Sequence, residues 1–166
     1  MTKQHQTTTP SPGAKAKKLW GFLQKFPKGN SLFSMLAGLY VPYTGSISPT
    51  VMTLEDGHVI VKLRDKRKVR NHLKSIHALA LANLGEFTTG LTLITMLEQN
   101  SNAILRNLNI EYLKKARGTL IAEATYMLPQ ITVGDTLHLI TANIKNDNNE
   151  IVCVVTATWS VRTVLK

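Results

Sequence analysis

The sequence predicts an α+β fold: one long central helix wrapped by a curved antiparallel sheet, with two extra helices at the N-terminus. Three observations carry this. Residues 75–98 form a nearly uncharged run whose apolar residues fall on every face, and a helix that is apolar all round belongs in a core. Two short segments before it and four long ones after it are rich in β-branched residues. LPQITVGD and NDNN separate the last three, turn chemistry suited to consecutive strands. At about 1.5 Å per residue the helix spans roughly 35 Å, and a ten-residue strand roughly 33 Å. One sheet curved about one helix of that length buries every face.

In chain order, residues 1–13 are polar, carry two prolines and are expected to form a disordered tail. Over 14–26, Leu19, Phe22, Leu23 and Phe26 make a helical stripe, with Lys15, Lys17, Lys18 and Lys25 mostly off it. Pro27 and Gly29 end it. Leu32, Met35, Leu36 and Leu39 make a second stripe over 31–40, closed by Pro42. These N-terminal helices occupy 14–42. A basic amphipathic helix can lie on a membrane surface, but packing on its own domain is the expectation here.

The central domain, 43–166, opens with the turn-rich PYTGSISP. Strands over 50–54 and 58–64 are joined through Glu55, Asp56 and Gly57, a hairpin signal. In the second strand Val59, Val61 and Leu63 face one way, and Ile60, Lys62 and Arg64 the other. The long helix follows, and then strands over 104–112, 119–127, 137–145 and 151–162. Ala78, Ala80, Ala82, Gly85 and Gly90 are small enough to let the sheet approach the helix closely. No internal repeat is present.

The totals bound the function. A chain of 166 residues with 43% hydrophobic residues fits one globular domain. The lone Cys153 excludes an internal disulfide framework and reads as a small buried hydrophobe in IVCVVTATW. No stretch reaches the roughly 18 consecutive apolar residues of a membrane span. The first apolar run comes after 18 residues, late for a secretory signal, so a cytoplasmic location is expected. The net charge of +10 is uneven: residues 1–30 hold six lysines and no acid. A second basic strip, 62–74, holds Lys62, Arg64, Lys66, Arg67, Lys68, Arg70 and Lys74 against Asp65. Such patches favour an anionic partner.

A candidate site lies where the loop carrying Asn71, His72 and His77 runs into the long helix. Glu86 is the one carboxylate inside that helix. Burying it is costly unless it is paired, hydrogen-bonded or protonated. Each residue also has a plain reading: Asn71 as a turn or capping residue, His77 as a helix-start histidine bonded to backbone, Glu86 as half of an ion pair across a dimer interface, the basic strip as a solvated strand face. His58 reads as a turn residue, His72 as solvated and His138 as a satisfied sheet position.

Asn71 precedes His77 by six residues, and His77 precedes Glu86 by nine. This spacing resembles the hotdog-fold acyl-CoA thioesterases of the phenylacetate-pathway type, whose loop-helix signature is N-x-x-G-x-x-H-G-G followed by an Asp or Glu. PYTGSI…VRNHLKSIHALALANLGE is similar, more closely still, to a branch of that superfamily known mainly as a domain of unknown function. The similarity covers roughly residues 30–165. It departs at Lys74, which stands at the first glycine, and at Ala78 and Leu79, which stand at the glycine pair. The resemblance implies a homodimer, or a dimer of dimers, with two sheets joined edge to edge. A carboxylate of one protomer then faces the loop and helix N-terminus of the other. By position, Glu86 becomes the general base or nucleophile, the Ala78 backbone N–H the oxyanion donor, Asn71 the group that orients water or the carbonyl, and His77 the residue that positions the loop. Acyl-CoA is the implied substrate. Its phosphates make Lys66, Arg67 and Arg70 candidate binding residues.

The chemistry suits that assignment. A free N–H at a helix start is aimed to stabilise an oxyanion, and a sheltered carboxylate has its pKa raised toward neutrality, as a base needs. Three other classes were weighed. A non-catalytic acyl-CoA or acyl-lipid binding module is the alternative that Ala78 and Leu79 suggest. Non-specific nucleic-acid binding stands lower, because the basic strip has no interleaved aromatic residues. A dehydratase on the same fold stands lowest, for want of a His-Phe-Pro loop. No cofactor or metal is expected: His72 and His77 have no Cys or carboxylate at ligand spacing. No phosphate-binding glycine loop or Gly-x-Ser-x-Gly elbow occurs.

Overall fold

The computed structural model describes residues 11–129 and 134–163. The chain runs α1 (Pro12–Leu23), α2 (Gly29–Tyr40), α3 (Pro42–Ile47), β1 (Thr50–Glu55), β2 (His58–Leu63), α4 (Ala78–Ile94), β3 (Ser101–Tyr112), β4 (Leu120–Thr125), β5 (Gly134–Lys145) and β6 (Ile151–Thr163). The strands make one six-stranded sheet in the order β1-β2-β4-β5-β6-β3. Every neighbouring pair is antiparallel. The α+β expectation stands, and α4 touches all six strands. The β1–β2 hairpin turns at Gly57, whose φ of 69° suits glycine. The turn expected at PYTGSISP is a short helix instead. Pro42 at its first turn has φ preset and lacks an N–H that would be orphaned there anyway.

α4 is 17 residues long and lies inside the 75–98 expected. It starts late because the residues before it are bound elsewhere. The Asn71 Oδ1 accepts the Leu73 N–H at 2.9 Å, the Ser75 N–H at 3.2 Å and the Ser75 hydroxyl at 3.1 Å. The His77 N–H donates to the Val69 carbonyl at 2.8 Å. α4 ends early because Met96 and Leu97 turn back on the Leu93 and Ile94 carbonyls in i→i+3 fashion. The Thr95 hydroxyl also accepts the Gly57 N–H at 3.0 Å, which ties the helix end to the β1–β2 turn.

Most of α4 is buried, Thr88, Thr89 and Thr92 included. Their hydroxyls donate to helix carbonyls at 2.7–3.0 Å, so no donor is orphaned. Gly85 carries the closest approach: a Cβ there would lie under 3 Å from three carbons of Val155 on β6. Gly90 faces the Trp159 ring in the same way, less tightly. Ala78 and Ala82, expected against the sheet, lie instead on the open side of the helix, exposed and half-buried.

The N-terminal helices are packed inside out relative to expectation. Of the first stripe only Leu23 is buried; Leu19, Phe22 and Phe26 are exposed, as are Leu32, Met35, Leu36 and Leu39 of the second. The buried contacts use other positions. Trp20 meets Phe33 edge to face with centroids 5.1 Å apart. The Ser34 hydroxyl donates to the Asn30 carbonyl at 2.6 Å and accepts the Val51 N–H of β1 at 2.8 Å. Gly13 and Gly29 abut the Ile94 and Leu23 carbonyls so closely that a side chain there would clash. Small residues let these backbones come near, and the bulky stripe is left outside. Residues 1–10 of the expected tail lie outside the described residues; Ser11 caps α1, its Oγ accepting the Ala14 N–H at 3.1 Å.

Candidate active site

The loop and helix start form a rigid frame. Lys74 takes the left-handed conformation, φ 55°, at the position where the resemblance puts a glycine. The loop therefore turns as a glycine would let it, at a steric cost to lysine. His77 is the N-cap of α4: its Nδ1 accepts the Leu79 N–H at 3.1 Å. That bond leaves Nδ1 without a proton and places any ring N–H on Nε2. Among the described residues nothing accepts the Ala78 N–H, and Ala78 is exposed. The Tyr112 hydroxyl donates to the Ala78 carbonyl at 3.2 Å and so fastens the end of β3 to this first turn.

Two cavities flank the helix start. One, of about 370 Å³, is lined by Asn71, Ala78, Leu81, Tyr112, Lys114 and Lys115 among others. The second, about 170 Å³, is lined by Tyr43, Lys68, Arg70, His77, Leu79 and Asn83 among others. Asn71, His77 and Ala78 are thus brought together, although the Asn71 carbonyl oxygen is already spent on its own loop. Glu86 lines neither cavity. It lies eight residues beyond Ala78, an axial rise of about 12 Å. Its carboxylate is half-buried, and burial alone pushes its pKa above the ordinary value. No hydrogen bond or ion pair reaches the carboxylate from the described residues. Ala78, Leu79, Ala82 and Glu86 are the more accessible positions of the first half of α4 and follow one another up the same side.

The basic strip disperses. Arg70 Nε donates to Asp65 Oδ1 at 2.6 Å, and Gly118 N–H to Asp65 Oδ2 at 3.0 Å. The guanidinium holds the Asp65 carboxyl below its usual range. Lys66 lines a cleft beneath α2 instead, and Arg67 is exposed. The cations on the cavities beside Ala78 and His77 are Lys114, Lys115, Lys68 and Arg70, the last held by Asp65. Lys114 is paired with Glu150 at 2.6 Å.

His58 and His138 have ordinary partners. His58 Nε2 lies 3.1 Å from Glu123 Oε1, and His138 sits between the Tyr126 and Thr136 hydroxyls at 2.9 and 2.7 Å. Burial lowers the His138 pKa. It pushes the Cys153 thiol up to about 11, as befits a buried, inert cysteine. Among the described residues no group of His, Cys, Asp and Glu is arranged to hold a metal.

Sequence reasoning passed over Tyr112 and Asn83. The Asn83 Nδ2 donates to the Tyr43 carbonyl at 3.3 Å, while its buried Oδ1 has no partner. A second polar residue one turn before Glu86 was the available signal. Nothing local marks Tyr112, whose position depends on where β3 ends.

Several solved structures share this architecture. A structural-genomics protein superposes with a TM-score of 0.77 at 26% identity, over 90% of this chain and 98% of its own. A Pseudomonas aeruginosa protein of unknown function, named "Probable Thioesterase", superposes with a TM-score of 0.67 at 18% identity, over 95% and 99%. A Staphylococcus aureus thioesterase enzyme does so with a TM-score of 0.65 at 20% identity, over 73% and 98%. The chain therefore shares the fold of these structures. No curated protein matches the chain. Residues 29–161 match the family model for the Domain of unknown function (DUF4442), and the chain belongs to that family.

Proposed function

We propose that the protein hydrolyses acyl thioesters, with acyl-CoA as the substrate class, and works as a homodimer. The observation that carries this is Glu86: a half-buried, unpartnered carboxylate of raised pKa in the middle of the core helix. Glu86 takes a proton from water as the water oxygen attacks the thioester carbonyl, or attacks it directly. The exposed Ala78 N–H, backed by the helix dipole, receives the developing oxyanion. The C–S bond then breaks and the thiolate takes up a proton; on the water route the acid departs, and on the direct route water first cleaves the mixed anhydride formed with Glu86. His77 supports the donor by capping its helix, and Asn71 by holding the loop. Lys115, Lys68 and Arg70, which line the cavities at the helix start, supply positive charge for the coenzyme phosphates.

A homodimer resolves the separation of the two groups. At about 12 Å along one helix, Glu86 and the Ala78 N–H cannot share a carbonyl, so the partner's copy of one must supply it. Among the described residues β3, 12 residues long, pairs with β6 alone and leaves its other edge open, which suits joining two sheets. The names of the structural neighbours point to the same chemistry.

The test is thiol release from acyl-CoAs of graded chain length by wild type and by Glu86→Ala. The expected loss in the variant is about 10²–10⁴-fold, and unchanged turnover would sink the assignment. A second reading, a non-catalytic acyl-CoA binding module, is favoured by Leu79, whose 62% exposed side chain stands beside the oxyanion donor. Saturable heat of binding with no thiol released would select it.

A further inference from the structure

The apolar stripes of α1 and α2 face away from the core, and the proposed hydrolysis does not use them. Met35 is 56% exposed, Leu39 70% and Tyr40 87%, and on α1 and its end so are Phe22 and Phe26, by more than half. Single exposed apolar side chains are ordinary. Stripes at helical spacing left open on two adjoining helices mark a surface with a partner.

The charge on the same segment says which partner. Residues 1–54 contain six lysines and no Asp or Glu. Lys17 pairs with Asp56. Lys15, Lys18, Lys25 and Lys28 are exposed, with no ion pair among the described residues. A cleft of about 660 Å³ brings the two chemistries together, lined by Met35, Leu39, Ser31, Ser46, Arg64 and Lys66 among others. No carboxylate lines it. Lys68 extends the positive rim by donating to Ser48 Oγ at 2.7 Å.

We propose that the α1–α3 face with this cleft docks onto a bilayer surface rich in acidic phospholipid. Met35, Leu39 and the aromatic side chains enter the headgroup layer, while the lysines, Arg64 and Lys66 meet lipid phosphates. Tyr40 and Tyr43, the latter 69% exposed, have the amphipathic rings favoured at that depth. A second copy of the chain would set like charge against like. A nucleic acid would gain nothing from Leu36, Met35 or Leu39, which offer no ring for a base to stack on. The proposal stands whether or not the protein cleaves thioesters.

The test is co-sedimentation of the full chain with vesicles of phosphatidylcholine alone or with about 30% phosphatidylglycerol, at about 0.1 M and about 0.5 M salt. Expected is at least tenfold stronger partition onto the acidic vesicles, lost at the higher salt. Met35→Ser with Leu39→Ser should lower that partition at least tenfold. Arg64→Gln with Lys66→Gln should lower it by about fivefold for each charge removed. All four side chains are exposed or line an open cleft, and an unchanged melting temperature confirms that each variant folds. Equal partition onto neutral and acidic vesicles overturns the proposal, as does none onto either. So does a smaller sedimenting mass of the Met35→Ser, Leu39→Ser variant without any vesicle binding, which assigns the face to a second copy. Retention of single-stranded DNA by a protein that ignores vesicles overturns it as well.

Discussion

At Glu86 the solvent around a single carboxylate sets both a rate and a stability. Burial raises its pKa in the folded chain, while the unfolded chain keeps a value near 4.5. Between the two, the folded protein holds a proton that the unfolded chain has lost. Stability therefore falls as pH rises through that window and stays reduced above it. Glu86→Gln should be more stable than wild type at neutral pH, with the difference vanishing below the ordinary carboxylate range; urea midpoints across pH read this directly. Hydrolysis needs the ionised form, so its acid limb should lie above the ordinary carboxylate value. Lys74 offers a second check. Its left-handed φ costs a side-chain-bearing residue about 1–2 kcal/mol. Lys74→Gly should raise stability by about 0.5–1 kcal/mol once the glycine's extra unfolded-state entropy is subtracted. Glu86 and the Asn71–His77 spacing were legible in the chain because they are a lone charge and a local motif. Tyr112 was not, since its hydroxyl reaches Ala78 from a residue 34 positions away.

At the scale of elements, α4 and β6 are matched at one point. Gly85→Ala puts a methyl into Val155, and overpacking of this kind costs about 1–3 kcal/mol. Val155→Ala should recover part of that loss, and a double-mutant cycle on denaturation midpoints measures the coupling. Gly90→Ala, facing the rim of the Trp159 ring at 3.1 Å, should cost less. The strands were readable from β-branched runs between turns, and their observed bounds differ mainly at the ends. α4 was readable as a buried helix but not in length. Its limits come from the Asn71 side chain, which holds the loop backbone before it, and from the tighter i→i+3 bonds of Met96 and Leu97 after it. α3 escaped notice because Pro, Gly and Ser in PYTGSISP are as compatible with a turn as with a short helix.

For the whole molecule, the free edge of β3 and the split between Glu86 and Ala78 lead to one expectation. The protein should sediment as at least two chains. Asn107→Lys with Asn109→Lys, both exposed on β3, should shift it toward one chain by charging that edge. Thioester hydrolysis should fall in proportion, and a single-chain variant of full activity would dismiss the shared site. The N-terminal helices show where linear reading ends. Their stripes and lysines are plain in the sequence, yet periodicity specifies only that a helix has an apolar side. Which side meets the domain is fixed by Gly13, Gly29, Phe33 and Ser34 fitting against α4, β1 and each other. Residues 11–129 and 134–163 thus announced their strands, their lone interior acid and every helix but α3 through neighbours a few positions apart. The outward stripes and the scattering of the basic strip came from contacts between segments far apart in the chain. No local pattern encodes these, because they depend on which surfaces close packing leaves room to bury.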